Sequence, residues 1–288
     1  MPVAILLAAE VAWRVSMRVQ VLASVMGQNL EEIAERMQLD SDAVIVNQCD
    51  RLDYRELKYR GHLIQFYSFP ERGVGRSRNE AIMRADGDIC LFSDQDIVYQ
   101  PGYAASIVKE FENNPDADMI LFNIEVEEIR RTYHITERRR VHWYNCGRYG
   151  AVSFAVRKSS LLASGVTFSL LFGGGAKYSN GEDSLFLRDF MKKGFKVYTA
   201  PVTVGREEAE ESTWFAGYNR KFFYDRGVLY RYLYGRLAWV MALRFLVVHR
   251  KKMCVETGIS QCLRWMREGI SVRRTSNAHA RGHFAKKF

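Results

Sequence analysis

Two carboxylates separated by one residue, Asp94 and Asp96, follow the short apolar run Ile89 to Phe92. An apolar run without alternation is typical of a strand that is buried on both faces within a parallel sheet. Ligands of open α/β sheets bind at the carboxyl ends of strands, and residues two apart on an extended segment point to the same side. The pair therefore predicts a site for a hard divalent cation, Mg²⁺ or Mn²⁺, that also carries phosphate oxygens. An Asp-rich turn is the alternative interpretation.

A second pair of carboxylates, Glu182 and Asp183, follows a glycine-rich stretch that begins at Gly173. The apolar residues after this pair have helical spacing, so the carboxylates are expected in the first turn of a helix. Acidic residues at this position often only cap the helix or interact with its dipole. A carboxylate at the end of such a loop is equally well placed to remove a proton from a bound hydroxyl.

A third polar cluster stands before the aspartate pair, where Gly73 and Gly75 precede a helix predicted from Arg76 to Arg84. Arg78 occupies the place of the third glycine, so the dinucleotide-binding fingerprint is not matched. Two arginines at a helix start, Arg76 and Arg78, would attract an anion. A solvated helix face is the alternative.

The elements that position these residues alternate between strands and helices. Residues 19–25 predict a first strand, followed by a helix from residue 30, and the stretches 43–50 and 62–69 predict two further strands. Residues 117–129 and 195–202 predict strands as well, on either side of the glycine-rich stretch. This order is typical of a Rossmann-like α/β fold with a mixed, mainly parallel sheet flanked by helices.

Composition limits the class of protein. The 288 residues carry a net charge of +9 with 48% hydrophobic residues, which is typical of a globular domain. The five cysteines are odd in number and contain no CxxC pair, so neither zinc nor a disulfide framework is expected and a reducing cytoplasm is the default compartment. The first residues lack a basic segment and include Glu10, which argues against a signal peptide.

Taken together, the stretches GVGRSRNEAIMRADGDICLFSDQD and GEDSLFLRDFMKKGFKVYTAP resemble the two halves of a family 2 inverting glycosyltransferase with a GT-A fold. The resemblance runs from about Val19 to Tyr230. The stretch 211–227 is similar to members associated with bacterial capsule and exopolysaccharide assembly. The family implies transfer of a sugar from a nucleotide-diphosphate donor to an acceptor hydroxyl, with inversion and with Mn²⁺ or Mg²⁺ as cofactor.

The resemblance also assigns roles on the donor side. Asp96 matches the metal-binding carboxylate, Asp94 the acid near the donor ribose and the metal, and Arg78 the arginine near the nucleobase. Many members end the second strand in two acids that hold uracil, whereas Asn47 and Gln48 stand here. Gln48 can both donate and accept hydrogen bonds and Asp50 is a displaced alternative, so both are candidates for nucleotide binding. The identity of the base is left open, and a histidine that often adds a metal ligand has no counterpart in PVTVGREEAEES.

On the acceptor side, Asp183 matches the general base and Glu182 a residue that helps to set the acceptor site. Tyr178 and Trp214 are weaker candidates for contacts with the acceptor. The expected acceptor is a saccharide or a lipid-linked saccharide.

The chain is expected to divide into an N-terminal extension (1–16, with Met17 as an alternative start), a catalytic domain (17–227), a helical appendage (228–270) and a basic tail (271–288). The apolar stretch 229–248 contains three arginines, which makes it a poor membrane span. It predicts either an amphipathic helix on an anionic membrane surface, at the inner face of the plasma membrane, or a helix packed on the catalytic domain.

Two other functions compete with glycosyl transfer. A nucleotidyltransferase would use the same sheet, metal and nucleotide, but it would not need Asp183 as a base. A nucleic-acid-binding module would use the basic residues from Arg130 to Arg140, and its affinity would fall steeply with salt. The second alternative leaves the carboxylate pattern unexplained, so no nucleic-acid partner is expected.

Overall fold

The computed structural model describes residues 17–128, 133–208 and 217–272. Nine strands of these residues form one sheet: β1 (Val19–Met26), β2 (Asp42–Gln48), β3 (Asp53–Tyr59), β4 (His62–Phe69), β5 (Ile89–Asp94), β6 (Ile97–Tyr99), β7 (Met119–Glu125), β8 (Phe154–Arg157) and β9 (Val197–Glu207). Their order across the sheet is β3-β4-β2-β1-β5-β8-β7-β9-β6. The neighbours from β4 to β5 are parallel, as are β7 and β9, whereas β3, β6 and β8 run antiparallel to their partners.

The described residues also form eight α-helices: α1 (Leu30–Arg36), α2 (Val74–Arg84), α3 (Tyr103–Asn113), α4 (Lys158–Ser164), α5 (Glu182–Lys192), α6 (Arg220–Tyr234), α7 (Ala238–Met253) and α8 (Ile259–Ile270). Helices α1, α2 and α3 each lie between strands, whereas α4 and α5 follow one another between β8 and β9. The last three helices follow β9 and share one core.

Hydrophobic cores cover both faces of the sheet. On β5, Ile89 and Leu91 belong to the core that includes α1 and α3, whereas Cys90 and Phe92 belong to the core that includes α2 and α5. Successive residues of a strand point to opposite faces, so an uninterrupted apolar run is required where helices cover both sides. The expectation of a strand buried on both faces is confirmed for β5.

A third core holds the C-terminal helices together and joins them to the glycine-rich loop. Helices α6 and α8 approach closely at Gly227 and Gly269, each of which lies against the backbone of the other helix. A Cβ on Gly227 would lie 2.2 Å from the Met266 carbonyl oxygen. Helix α6 begins at Arg220 and so crosses the expected division after residue 227. The division itself remains a prediction.

The structure differs from the sequence analysis at two places. The edge strand β3 was not predicted, because its sequence DYRELKY is mostly polar and carries no clear apolar alternation. The segment from Asp94 to Asp96 is not extended, since β5 ends at Asp94 and residues 95 and 96 form a turn into β6. The expected extension 1–16 and nearly all of the basic tail lie outside the described residues.

Candidate functional site

Helix α2 carries Arg78 to the carboxyl edge of the sheet. The Gln48 side chain at the end of β2 accepts a hydrogen bond of 2.7 Å from the Gly73 backbone N–H, and Ser77 Oγ donates to the Val46 carbonyl oxygen at 3.2 Å. These bonds fix the first turn of α2 against β2. The Arg78 side chain is only 3% exposed as a result, and it lies over the ring of Phe168.

Three carboxylates surround the Arg78 guanidinium. Nη2 donates to both oxygens of Asp94, at 2.9 and 3.0 Å. Nη1 donates to Glu182 Oε1 at 3.1 Å and to Asp183 Oδ1 at 2.8 Å. One buried cation thus joins the end of β5 to the start of α5, and brings together the two carboxylate pairs that the sequence singles out.

Carboxylates bind both terminal nitrogens of Arg78, so the guanidinium lies between Asp94 and the pair formed by Glu182 and Asp183. Its proposed contact with the nucleobase remains a prediction. Arg76, the other arginine of the predicted anion site, pairs with Glu71 at 3.0 Å.

The environment of the carboxylates changes their acidity. The pKa of Glu182 is raised to about 8. Burial is the largest cause and the neighbouring Asp183 also raises the pKa, whereas Arg78 lowers it. Burial also raises the pKa of Asp183, although Arg78 and a hydrogen bond with the Ala151 backbone act in the opposite direction. Both carboxyl groups therefore hold a proton more tightly than exposed carboxyl groups do, and Glu182 is protonated near neutral pH.

The glycine-rich loop packs directly on this cluster. The Val74 backbone N–H, at the start of α2, donates to the Gly174 carbonyl oxygen at 3.0 Å. Gly173 has a φ of 106°, and a Cβ there would lie 2.8 Å from the Glu182 carboxyl carbon. Only glycine fits this conformation and this space. Gly173 is therefore required for the close contact of the loop with Glu182 and α2.

The aspartates at the end of β5 supply hard oxygen ligands. The side chain of Asp94 is 33% exposed, and Asp96 lies two residues later in the turn. Among the residues that the structure describes, no three His, Cys, Asp or Glu side chains form a metal cluster. Two carboxylates nevertheless fit Mg²⁺ or Mn²⁺ when diphosphate oxygens complete the shell, because such ions are commonly held by one or two carboxylates and a phosphate.

The remaining candidates on the donor side lie at the end of β2. The Gln48 amide bonds Ser24 Oγ and the Gly73 N–H, so it fixes the loop before α2. Asp50 is exposed two residues further on. Nucleotide contacts of these residues remain predictions.

A cavity of about 470 Å³ opens beside Asp183. Asp183 has 23% of its side chain exposed and Glu182 has 10%. The cavity is also lined by Tyr218 and Arg226 near α6, and by Arg148 and Gly150 from the irregular segment before β8. Asp183 is therefore the carboxylate of the pair that a ligand in this cavity would meet.

The two weaker acceptor candidates have different outcomes. Tyr178 is 6% exposed and packs against Phe172, which is a position in the C-terminal core. Its contact with an acceptor remains a prediction. Trp214 lies outside the described residues.

Sequence reasoning missed Arg148 and Arg226 as residues of this cavity. Arg226 occurs in FFYDRG, where it has no distinctive spacing, and Arg148 occurs in YNCGRYG, which has no helical or strand periodicity. Their proximity to Asp183 arises only when α6 packs on the start of α5, where a Cβ on Gly181 would touch Leu229.

Comparison with known proteins identifies the fold. Residues 23–165 match the profile of glycosyl transferase family 2. Similar solved structures include TarS residues 1–349 of S. aureus, with 12% identity, 88% of this chain and 79% of that chain covered, and a TM-score of 0.57. The same protein in complex with UDP-GlcNAc gives 15% identity, coverage of 83% and 74%, and a TM-score of 0.56.

A mannosyltransferase from Pyrobaculum calidifontis, in complex with GDP-Man and Mn²⁺, is also similar. It has 16% identity, coverage of 88% of this chain and 74% of that chain, and a TM-score of 0.51. No curated protein matches the sequence. The sheet, its flanking helices and the family match agree with the expected GT-A fold.

Proposed function

Because the chain is a glycosyltransferase that belongs to family 2, we propose that it moves a sugar from a nucleotide-diphosphate donor to an acceptor hydroxyl with inversion of configuration. The single observation that carries this proposal is the Arg78 cluster. Arg78 joins Asp94, the carboxylate expected near the donor, to Glu182 and Asp183, the carboxylates expected near the acceptor. A direct displacement requires these two groups on opposite sides of the reacting carbon.

Asp183 is the base in this proposal. It is the more exposed of the two acids and lines the cavity in which an acceptor would lie. Glu182 holds a proton near neutral pH, because its pKa is about 8, and the neutral acid then places no negative charge beside Asp183. A raised pKa makes Asp183 a stronger base toward the acceptor hydroxyl. Arg78 fixes the orientation of both side chains.

Asp94 and Asp96 would hold the metal ion, Mn²⁺ or Mg²⁺. When bound, such an ion offsets the negative charge that develops on the departing diphosphate. Arg78 holds the Asp94 carboxylate by two hydrogen bonds, which orients it toward this role. The similar mannosyltransferase, which was solved with GDP-Man and Mn²⁺, supports the assignment of donor and cofactor.

We also propose that the enzyme works at a membrane surface, in cell-surface polysaccharide synthesis with a saccharide or lipid-linked saccharide acceptor. Among the described helices, none has the length and apolar content that a membrane crossing requires. Helix α7 buries Ala238, Ala242 and Leu246 but leaves an apolar stripe exposed on its other face, composed of Trp239, Val240, Leu243 and Val247. Arg250, Lys251 and Lys252 continue the helix, which suits an anionic surface. One face of α7 is therefore packed, and the other presents the apolar stripe that this proposal assigns to the membrane surface.

The donor and metal are tested by thermal stabilisation with a panel of nucleoside diphosphates, with and without Mn²⁺. One nucleotide is expected to raise the melting temperature in the presence of Mn²⁺, because ligand binding stabilises the native state by about 2.7 kcal/mol at 100 times Kd. Asp96→Ala should abolish this rise. The control Asp116→Ala removes an exposed carboxylate that pairs with Lys196 and should retain it. An equal, metal-dependent rise in Asp96→Ala would disprove the metal role.

A further inference from the structure

A second cavity adjoins the one beside Asp183. It has a volume of about 500 Å³ and lies between α6, α7 and the irregular segment before β8. Both cavities are lined by Gly147, Arg148, Ser184, Arg226 and Met253. A ligand that presents a hydroxyl to Asp183 can therefore extend into the second cavity.

Arg226 stands where the two cavities meet. Its guanidinium carbon lies 5.3 Å from the ring centre of Phe222 and 5.2 Å from that of Phe245, so the two rings fix its plane. Its Nε atom is buried and donates no hydrogen bond to any residue that the structure describes. A buried N–H without an acceptor is costly unless a ligand provides one.

The second cavity has an excess of positive charge. Within the described ranges, no carboxylate forms an ion pair with Arg148, Arg226 or Arg244. His249, on the same wall, has a lowered pKa because of burial and because Arg226, Lys252 and Arg244 are close to it. Uncompensated arginines on a concave surface indicate an anionic ligand.

Apolar side chains of α6 and α7 also line the cavity. Leu229 and Leu233 of α6 face Met241 and Phe245 of α7 across it. A small inorganic anion would leave these side chains without contacts. The ligand that fits the whole cavity has an anionic group beside an apolar segment.

We propose that the cavity between α6 and α7 binds a phosphate group of the acceptor, together with an adjoining apolar portion, through Arg226 and Arg244. The guanidinium forks match phosphate oxygens in pairs, and Arg148 lies at the junction with the base. The inference rests on the proposed function, because it gives the acceptor hydroxyl to Asp183. It defines the acceptor as a molecule with a phosphate group beside an apolar chain, such as a lipid phosphate.

The test is calorimetric titration of the full chain at fixed ionic strength with geranyl phosphate, glucose 1-phosphate and the neutral alcohol geraniol. The wild type should bind geranyl phosphate at least tenfold more tightly than geraniol. Arg244→Gln should weaken the binding of geranyl phosphate tenfold or more, and Arg226→Gln should have a similar effect. Arg244 is exposed, so its substitution leaves the packing of α7 intact. The matched control is Arg264→Gln on α8, an exposed arginine that does not line the cavity.

Each outcome decides the proposal. Tighter binding of geranyl phosphate than of glucose 1-phosphate supports the proposal, whereas equal binding of the two would contradict the role of the apolar portion. Binding of neither phosphate, or binding that Arg244→Gln and Arg264→Gln change equally, would overturn the proposal. Binding of nucleoside diphosphates with Mn²⁺, measured on the same preparations, tests the donor site separately. Loss of phosphate binding with intact nucleotide binding would contradict only the proposed acceptor site, and not the proposed glycosyl transfer.

Discussion

At the scale of single residues, Arg78 determines how the site is assembled. The acidic residues were predicted from local patterns, since Asp94 ends an apolar run and Glu182 begins a helix. The contact of Arg78 with Glu182 joins positions 104 residues apart, and no local spacing encodes it. A buried cation with three carboxylates is also costly to break, because removing one partner leaves the others buried without compensation.

The raised pKa of Glu182 predicts a dependence of stability on pH. Its ordinary value is 4.5 and its value in the folded protein is about 8, so the folded protein holds a proton that the unfolded chain releases between these values. The free energy of unfolding should therefore fall as the pH rises through this window. Glu182→Gln, which resembles the protonated acid, removes this contribution.

Urea denaturation at pH 5 and pH 7.5 measures the effect. The free energy of unfolding of the wild type, relative to that of Glu182→Gln, should be lower at pH 7.5 by about 1 kcal/mol or more, since one pKa unit corresponds to about 1.4 kcal/mol. Glu112→Gln, which removes a carboxylate far from the site on α3, serves as the control. A difference between wild type and Glu182→Gln that does not change with pH would contradict the assigned ionisation.

At the scale of elements, helix α6 supports the end of the glycine-rich loop that precedes α5. The buried carboxylate of Asp225 accepts hydrogen bonds from the backbone N–H and the hydroxyl of Ser179, at 3.0 and 2.9 Å. Leu229 fills the space that the absent side chain of Gly181 leaves. Deletion of the chain after residue 228 would remove this packing, so point substitutions are the better test of membrane binding.

The exposed stripe of α7 should carry that binding. The double variant Leu243→Asn and Val247→Asn is expected to lower binding to vesicles that contain anionic phosphatidylglycerol by tenfold or more, because it removes apolar surface that would enter the interface. The melting temperature should change little, since both side chains are about half exposed. Sedimentation with vesicles measures the bound fraction.

A matched double variant, Leu162→Asn and Leu170→Asn, alters exposed leucines outside α7 and should leave binding unchanged. Equal effects of the two double variants would show that α7 has no special part in membrane binding. If the wild type does not sediment with anionic vesicles, the proposal that the enzyme works at a membrane surface is wrong.

At the scale of the whole molecule, the sequence predicted the fold class because its strongest signals are apolar runs followed by glycine or polar residues. These signals identify β1, β2, β4, β5 and β7 as well as the helices between them. Strand β3 and the turn at Asp96 were not predicted, because an exposed edge strand needs few apolar residues and a two-residue turn has no periodicity. The cavities between α6, α7 and the segment before β8 could not be predicted either, because only tertiary packing creates them.

The most direct test of the central claim compares the wild type with Asp183→Asn in release of nucleoside diphosphate from a nucleotide sugar, with a panel of saccharide and lipid-linked saccharide acceptors. The account predicts that the acceptor-dependent rate falls by about 10²- to 10⁴-fold in Asp183→Asn while donor affinity is retained, as expected for loss of a general base. Asp116→Asn should behave as the wild type. A rate in Asp183→Asn equal to that of the wild type would contradict the assignment of Asp183 as the base, and with it the proposed mechanism of transfer.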